Sequence, residues 1–303
     1  MSIPKITDVR YVALAVKDFD AERNFLTHHW GLTEVESSDG LSYLAAQGSS
    51  EPFVMRLRRA EQSHLDLIGL ALPTRADVDV MHRHLVDSSV KLIDAPHNLE
   101  SPFAGYGFRF FDNDGRAIEV SADVKRGNAR TLSRGESIPV RLSHVVLHAP
   151  DNKATVKFYE DVLGFKLSDW LGELMAFLRC GPAHHRLAIL PGPPALNHVA
   201  FDMLSLDEMM RGIGRLASEG IRVHWGPGRH TAGNNTFSYY YTPNGHMVEY
   251  TAELEEVDDA SWKPSEYPLS AEITDRWGTG RLITESSHIM PEADPALWKA
   301  PPV

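Results

Sequence analysis

The chain has 303 residues, 43% of them apolar and 23% charged, which is typical of a globular protein with room for two domain cores. Its net charge of −11 argues against nucleic acid as a partner, because nucleic-acid binders carry basic patches. No apolar run reaches the roughly eighteen residues that a membrane span requires, and the single cysteine, Cys180, favours a reducing, cytoplasmic location.

The first predicted strand runs through residues 12–16 and ends at Asp18. Asp18 can cap a following helix, because a short carboxylate accepts the free backbone N–H groups of the first turn. Gly31 fits the C-terminal end of that helix. The next predicted elements are strands at 41–46 and 53–57, a helix at 76–86, and a hairpin turn at 113–115 before a strand that contains Glu119.

The second half repeats this pattern at a nearly constant separation. Asp151 and Gly164 follow Asp18 and Gly31 by 133 residues, and the turn at 243–245 parallels the turn at 113–115. The repeat predicts an α+β protein of two similar domains, 1–135 and 136–303. Its further elements are strands at 175–178 and 237–241, a helix at 205–220, and a tail beyond Leu254 with little regular structure that wraps the second domain.

Two histidines and one glutamate stand in apolar strand-like runs of the second half. His144 and His198 each open such a run, and Glu249 lies inside a third. A lone histidine on an apolar strand is more often a core residue than a ligand, whereas a buried carboxylate without a partner is costly. All three together favour a metal site, because two imidazoles and one carboxylate form the facial triad of non-haem Fe(II) centres. Mn(II) is an alternative, since it suits the same ligands.

The first half serves as an internal control. Tyr11 stands where His144 does, Glu119 matches Glu249, and Leu67 matches His198, although an alignment gap could shift this last position by two residues. One carboxylate alone cannot hold the metal. The first domain is therefore predicted to lack a metal.

Several motifs resemble those of a known family. They are Gly228-Arg229-His230-Thr231, Thr242-Pro243-Asn244-Gly245 followed by Glu249-Tyr250, Leu163-Gly164-Phe165, and the His184-His185 pair before an apolar strand. In these, and over most of its length, the chain resembles the type I extradiol ring-cleavage dioxygenases of the vicinal oxygen chelate superfamily. The resemblance implies that each domain is a pair of βαβββ modules forming an open, barrel-like cup, with Fe(II) in the second cup. It also implies a small aromatic diol and O₂ as substrates, and assembly into a homo-oligomer.

The same resemblance assigns roles to pocket residues. His185 matches the acid–base histidine, and His230 and Tyr239 match two residues that hydrogen-bond the substrate. Read without the family, His184 and His185 fit a solvated loop pair, and strand alternation does not choose between Tyr239 and Tyr241. The substrate contacts predicted here are His184, Leu174, Phe177 and Phe237.

Three departures from the family pattern bear on the pocket wall and therefore on the substrate. Arg186 replaces a small hydroxyl residue, the segment between His185 and His198 is short, and Ala232-Gly233 replaces polar residues. Two other functions are compatible with the same sequence features: a glyoxalase- or epimerase-like metal enzyme, and a non-catalytic ligand-binding protein.

Overall fold

The computed structural model describes residues 3–280. In the first half, eight strands and two helices follow one another along the chain: β1 (Asp8–Val16), α1 (Phe19–Asn24, extended by a π-helical turn at Phe25–His29), β2 (Thr33–Ser38), β3 (Leu41–Ala45), β4 (Met55–Arg59), β5 (His64–Ala71), α2 (Arg75–Asp87), β6 (His97–Asn98), β7 (Tyr106–Phe111) and β8 (Ala117–Ala122). The strands form one sheet in the order β2-β3-β4-β1-β5-β8-β7-β6.

The second half builds a sheet of the same design. Its elements are β9 (Arg141–Ala149), α3 (Asn152–Asp161), β10 (Lys166–Leu171), β11 (Met175–Arg179), β12 (Leu187–Pro191), β13 (Ala195–Asp202), α4 (Leu206–Ser218), β14 (Trp225–Arg229), β15 (Thr236–Tyr241), β16 (Met247–Ala252), β17 (Ser265–Tyr267) and α5 (Ala271–Thr274). The strand order is β14-β15-β16-β13-β9-β12-β11-β10-β17. This architecture confirms the predicted α+β fold.

The predicted helix caps are confirmed. A side-chain oxygen of Asp18 accepts the backbone N–H of Ala21 at 3.1 Å, and Asp151 accepts that of Ala154 at 3.0 Å. Gly31 (φ +96°) ends the first helical segment in the left-handed conformation that glycine adopts most readily. The same sequence signals therefore start and stop the equivalent helices of both halves.

The tail contains more regular structure than the sequence predicts. Strand β17 pairs in parallel with β10, and α5 follows it. Trp298, which belongs to the same predicted tail, lies outside the described residues. Within residues 3–280, no helix is long and apolar enough to cross a membrane.

Strand alternation separates a shared core from a cup on the opposite face of each sheet. Val145 and Leu147 belong to the large core that extends through both halves, whereas Val146 between them belongs to a smaller apolar cluster inside the second cup. Trp30 of the first half stacks on Tyr250 of the second, with ring centroids 3.8 Å apart. The halves therefore pack through the core face, which leaves the cup faces for ligands.

Candidate metal centre and its pocket

Three neighbouring strands bring the proposed metal ligands together inside the second cup. Ala200 on β13 is paired with His144 on β9 and with Glu249 on β16. His198 lies two residues before Ala200, and the imidazoles of His144 and His198 pack edge to face, with centroids 5.5 Å apart. All three proposed ligands are buried.

The donor atoms converge on one point. Nε2 of His144 and Nε2 of His198 lie 3.4 Å apart, and each lies close to Oε2 of Glu249, at 3.2 and 3.0 Å respectively. For metal–ligand bonds of about 2.1 Å, two donors at a right angle are about 3.0 Å apart and two opposite donors about 4.2 Å. The three spacings therefore fit one face of a coordination sphere, with the opposite face left for other ligands.

The carboxylate of Glu249 has the character of a metal ligand. It is fully buried, and neither oxygen accepts a hydrogen bond of normal geometry from the residues that the structure describes. Burial raises the pKa of Glu249, but the adjacent His144 and His198 lower it by more, so the group stays ionised. Burial also lowers the pKa of His198 to about 4 in the metal-free protein, which keeps its ring neutral. Neutral imidazole and carboxylate are the forms that bind metal.

A chain of hydrogen bonds orients His198 for binding. Its Nδ1 donates to Oδ1 of Asn197 at 2.6 Å, and Nδ2 of Asn197 donates to Nε2 of His148 at 2.8 Å. His148 in turn donates through Nδ1 to the carbonyl oxygen of Pro191 at 2.9 Å. Because Nδ1 of His198 carries the proton, the lone pair of Nε2 points to the shared site.

His230 and Tyr239 form a second hydrogen-bonded unit beside the metal site. Nδ1 of His230 lies 2.6 Å from the carbonyl oxygen of Thr274, which can only accept, so Nδ1 is protonated. Burial lowers the pKa of His230, so the ring is neutral. Its Nε2 accepts a hydrogen bond of 3.1 Å from the hydroxyl group of Tyr239. Burial also raises the pKa of Tyr239 well above its usual value, so this phenol stays protonated.

The cavity beside these groups is mainly apolar. It encloses about 460 Å³ that no protein atom fills, part of it open to solvent. The wall includes Leu171, Met175, Phe177, Leu190, Trp225, Ala232 and Ile273, with His198, His230, Tyr239, Asn197 and Thr274 as polar members. An apolar pocket with a few convergent polar groups is typical of a small-molecule site.

The predicted substrate contacts are not all on the cavity wall. Phe177 lines the cavity, and Leu174 packs against the same apolar cluster. Phe237 lies behind His230, with the two rings stacked at 4.1 Å, and His184 lies behind His185. Phe237 and His184 are fully buried, and neither is part of the cavity wall.

Arg186 also points away from the cavity. Its Nε donates to Oδ1 of Asp8 at 2.6 Å, and its guanidinium bonds the carbonyl oxygen of Leu142 at 3.0 Å. Arg186 therefore links β1 of the first half to β9 of the second and is not part of the cavity wall. Ala232, in contrast, does line the cavity.

Sequence reasoning missed four residues around the site: Asn197, Trp225, Thr274 and Asp169. Asn197 could have been found from its place next to His198, and Asp169 from its position as an acidic residue in a strand-like run. Thr274 gave no such signal, because it reaches His230 from the tail.

The register confirms which residue of the first half matches His198. Leu67 on β5 pairs with Ala13, as His198 on β13 pairs with Val146, and Ala13 and Val146 are equivalent positions of β1 and β9. His64 matches Ala195 by the same register. Leu67 therefore stands at the ligand position, and His64 does not.

Comparisons with known proteins agree with this geometry. A sequence profile of the Glyoxalase/Bleomycin resistance protein/Dioxygenase superfamily matches residues 141–250, which hold all three proposed ligands. The chain is 26% identical over 295 residues to metapyrocatechase 2 of Cupriavidus necator, which covers 90% of this chain and 89% of the relative. It is 25% identical over 285 residues to an iron-dependent extradiol dioxygenase of Rhodococcus jostii strain RHA1, covering 85% and 92% respectively.

A solved structure is similar over nearly the full length. The Mn(II)-bound glyoxalase from Novosphingobium aromaticivorans superposes with a TM-score of 0.90 at 49% sequence identity, and the match covers 96% of this chain and 97% of that one.

Proposed function

Because this chain belongs to the Glyoxalase/Bleomycin resistance protein/Dioxygenase superfamily, we propose that it is an extradiol dioxygenase, which opens the ring of a catechol-type diol with O₂. The observation that carries this proposal is the spacing of 3.0–3.4 Å among the donor atoms of His144, His198 and Glu249. Three ligands on one face leave room for both oxygens of a diol and for O₂.

The donor set fits Fe(II), with Mn(II) as the alternative. One relative is iron-dependent, and the similar solved structure contains Mn(II). Nitrogen and carboxylate ligands suit both ions. When bound, the metal would hold diol and oxygen together and conduct electrons between them.

Side chains of this protein would bind the aromatic ring of the substrate and would accept or donate its protons. The apolar wall around Phe177 and Leu171 can bury an aromatic ring and exclude water from the reaction. His185 is buried, and burial together with its histidine neighbours lowers its pKa well below the usual value, so its ring is neutral. A neutral ring has one nitrogen lone pair, which the proposed role as acceptor of a diol proton requires. Tyr239 keeps its phenolic proton and, by turning its hydroxyl from His230, can donate it in a hydrogen bond to a substrate oxygen.

A glyoxalase is the second candidate, because the similar solved structure at 49% identity carries that description. A glyoxalase reaction is redox-neutral and needs no O₂. The apolar cavity with a protonated phenol and a neutral imidazole beside an open coordination face suits a planar aromatic diol, and it favours the dioxygenase.

The deciding experiment is a panel of catechol, 3- and 4-substituted catechols and 2,3-dihydroxybiphenyl with the Fe(II)-loaded protein. We expect yellow ring-opened product under air from at least one diol, and none under nitrogen. Absence of product from every diol under air, with iron bound, would reject the dioxygenase. A parallel assay with the hemithioacetal of methylglyoxal and glutathione tests the second candidate.

We further propose that the protein is a cytoplasmic homo-oligomer. The lone, buried Cys180 supports the reducing compartment, and the family resemblance supports assembly. Light scattering of the metal-loaded protein would measure the assembled mass.

A further inference from the structure

Three buried side chains form a hydrogen-bonded line that ends beside the metal site. Oδ2 of Asp169 lies 2.8 Å from Nε2 of His184, and Nδ1 of His184 lies 3.0 Å from Nδ1 of His185. All three residues are at most 2% exposed. The ring centroid of His185 in turn lies 4.3 Å from that of His144 and 5.0 Å from that of Phe177.

The donors and acceptors along this line determine where the protons are. An ionised carboxylate can only accept, so Nε2 of His184 carries a proton toward Asp169. The other nitrogen of a neutral His184 is then an acceptor, so Nδ1 of His185 must be the donor between the two rings. A neutral His185 with a proton on Nδ1 has a lone pair on Nε2. Among the described residues, Nε2 of His185 has no hydrogen-bond partner of its own.

We propose that Asp169 and His184 are positioning residues, which hold His185 in the tautomer whose Nε2 can take a proton from the substrate. This inference rests on the proposed function, because it assumes that His185 handles a substrate proton. It reassigns His184 from a substrate contact to the support of His185. The logic is that of a carboxylate that fixes the tautomer of a catalytic histidine in a hydrolase triad.

Residues of the tail hydrogen-bond to Asp169 and His184 and pack against His184. The backbone N–H of Ser265 donates to Oδ1 of Asp169 at 2.6 Å, so both oxygens of this carboxylate are engaged as acceptors. The backbone N–H of His184 donates to the carbonyl oxygen of Glu255 at 2.8 Å, and the ring of Trp262 packs edge to face on His184 at 5.7 Å. A buried network with satisfied members holds a single arrangement.

The direct test is the tautomer of His185 in the metal-free protein, measured by long-range ¹H–¹⁵N correlation of the histidine rings. A His185→Gln spectrum assigns the resonance. We expect a protonated Nδ1 and an unprotonated Nε2 in the wild type. A protonated Nε2 on His185 would overturn the proposal, whether or not the protein cleaves diols.

Asp169→Asn is the matched variant, because an amide has nearly the same shape but can also donate to His184 and so reverse both rings. We expect it to bind iron as the wild type does, to lose the Nδ1-protonated signal of His185, and to lower kcat about 10²-fold with little change in KM. Asp259→Asn is the control, since Asp259 is a tail carboxylate that binds Arg179 instead. An unchanged tautomer and kcat in Asp169→Asn would refute the role.

The dioxygenase function and the positioning role of Asp169 and His184 can be rejected independently of each other. Loss of all ring cleavage in the wild type would reject the dioxygenase and leave the tautomer measurement standing. A wild-type enzyme that cleaves diols with the other tautomer would reject only the positioning role. The wild-type spectrum determines the tautomer of His185 even if a variant does not fold.

Discussion

Tyr11 occupies in the first cup the position that His144 holds in the second, and its hydroxyl donates a hydrogen bond to Glu119 at 2.9 Å. Arg109, at the position of Tyr239, donates through Nε to the other oxygen of Glu119 at 3.0 Å. Protein donors therefore satisfy the carboxylate that is equivalent to Glu249. Among the described residues, the first cup thus hydrogen-bonds its carboxylate to a tyrosine and an arginine, whereas the second cup places its carboxylate beside two imidazoles.

A matched pair of substitutions tests this difference. We expect Glu249→Ala to abolish iron retention and turnover, because two imidazoles alone leave the site short of a ligand and of its negative charge. Glu119→Ala should lower thermal stability but leave iron content unchanged. Elemental analysis after anaerobic purification measures both, and loss of iron from Glu119→Ala would contradict the assignment of the metal to the second cup.

Removal of the proton carrier should separate metal binding from catalysis. His185→Gln is expected to retain iron and to lower kcat by about 10²–10⁴-fold, the usual contribution of general acid–base catalysis. Steady-state kinetics and iron analysis of the same sample check this. A fully active variant would show that another group carries the proton.

Tyr239 should contribute by a hydrogen bond rather than by ligation. Tyr239→Phe removes only the hydroxyl that lies 3.1 Å from His230. We expect iron to stay bound and kcat/KM to fall about 10- to 100-fold, as for loss of a hydrogen bond to a charged oxygen. Tyr241→Phe is the control, because Tyr241 lies on the same strand but is 45% exposed. Equal effects of the two changes would argue against a role for Tyr239.

Stability in acid should depend on Glu22, which joins the two halves. Asn244 donates to Oε2 of Glu22 through its backbone (3.0 Å) and side chain (2.9 Å), and Nδ1 of His246 lies 3.4 Å from Oε1. Burial raises the pKa of Glu22, but these polar neighbours lower it by more, so its folded pKa lies below its unfolded value. The stabilisation is present above the unfolded pKa and is lost as the pH falls through the folded one.

Glu22→Gln should therefore lower the free energy of unfolding by about 1–3 kcal/mol at neutral pH. The difference from the wild type should shrink as the pH falls below about 4.5. Denaturant titrations at several pH values measure it, with the exposed Glu61→Gln as the control. A difference that grows in acid would contradict the assigned direction of the Glu22 pKa.

Much of the fold could be predicted because its signals are local. Asp18 and Asp151 cap helices through side-chain bonds three residues away, and alternation within each strand sets which residues face the cup. The repeat serves as an internal control that assigns the metal to the second half, since Tyr11 and Leu67 stand where that half carries His144 and His198.

The remaining site features depend on contacts that sequence spacing does not encode. His184 precedes β12 in a loop, so alternation does not give its direction, and Asp169 reaches it from another strand. Thr274 approaches His230 from a tail predicted to be irregular. Alternation puts Tyr240 on the face opposite to Tyr239, but only the structure shows that this face is buried against Trp30.

The most direct test of the account is oxygen uptake by the Fe(II)-loaded protein when its best diol is added. We predict consumption of one O₂ for each ring opened, measured with an oxygen electrode alongside product absorbance, and neither signal with Glu249→Ala. Product formation without oxygen uptake, or full activity of Glu249→Ala, would contradict it.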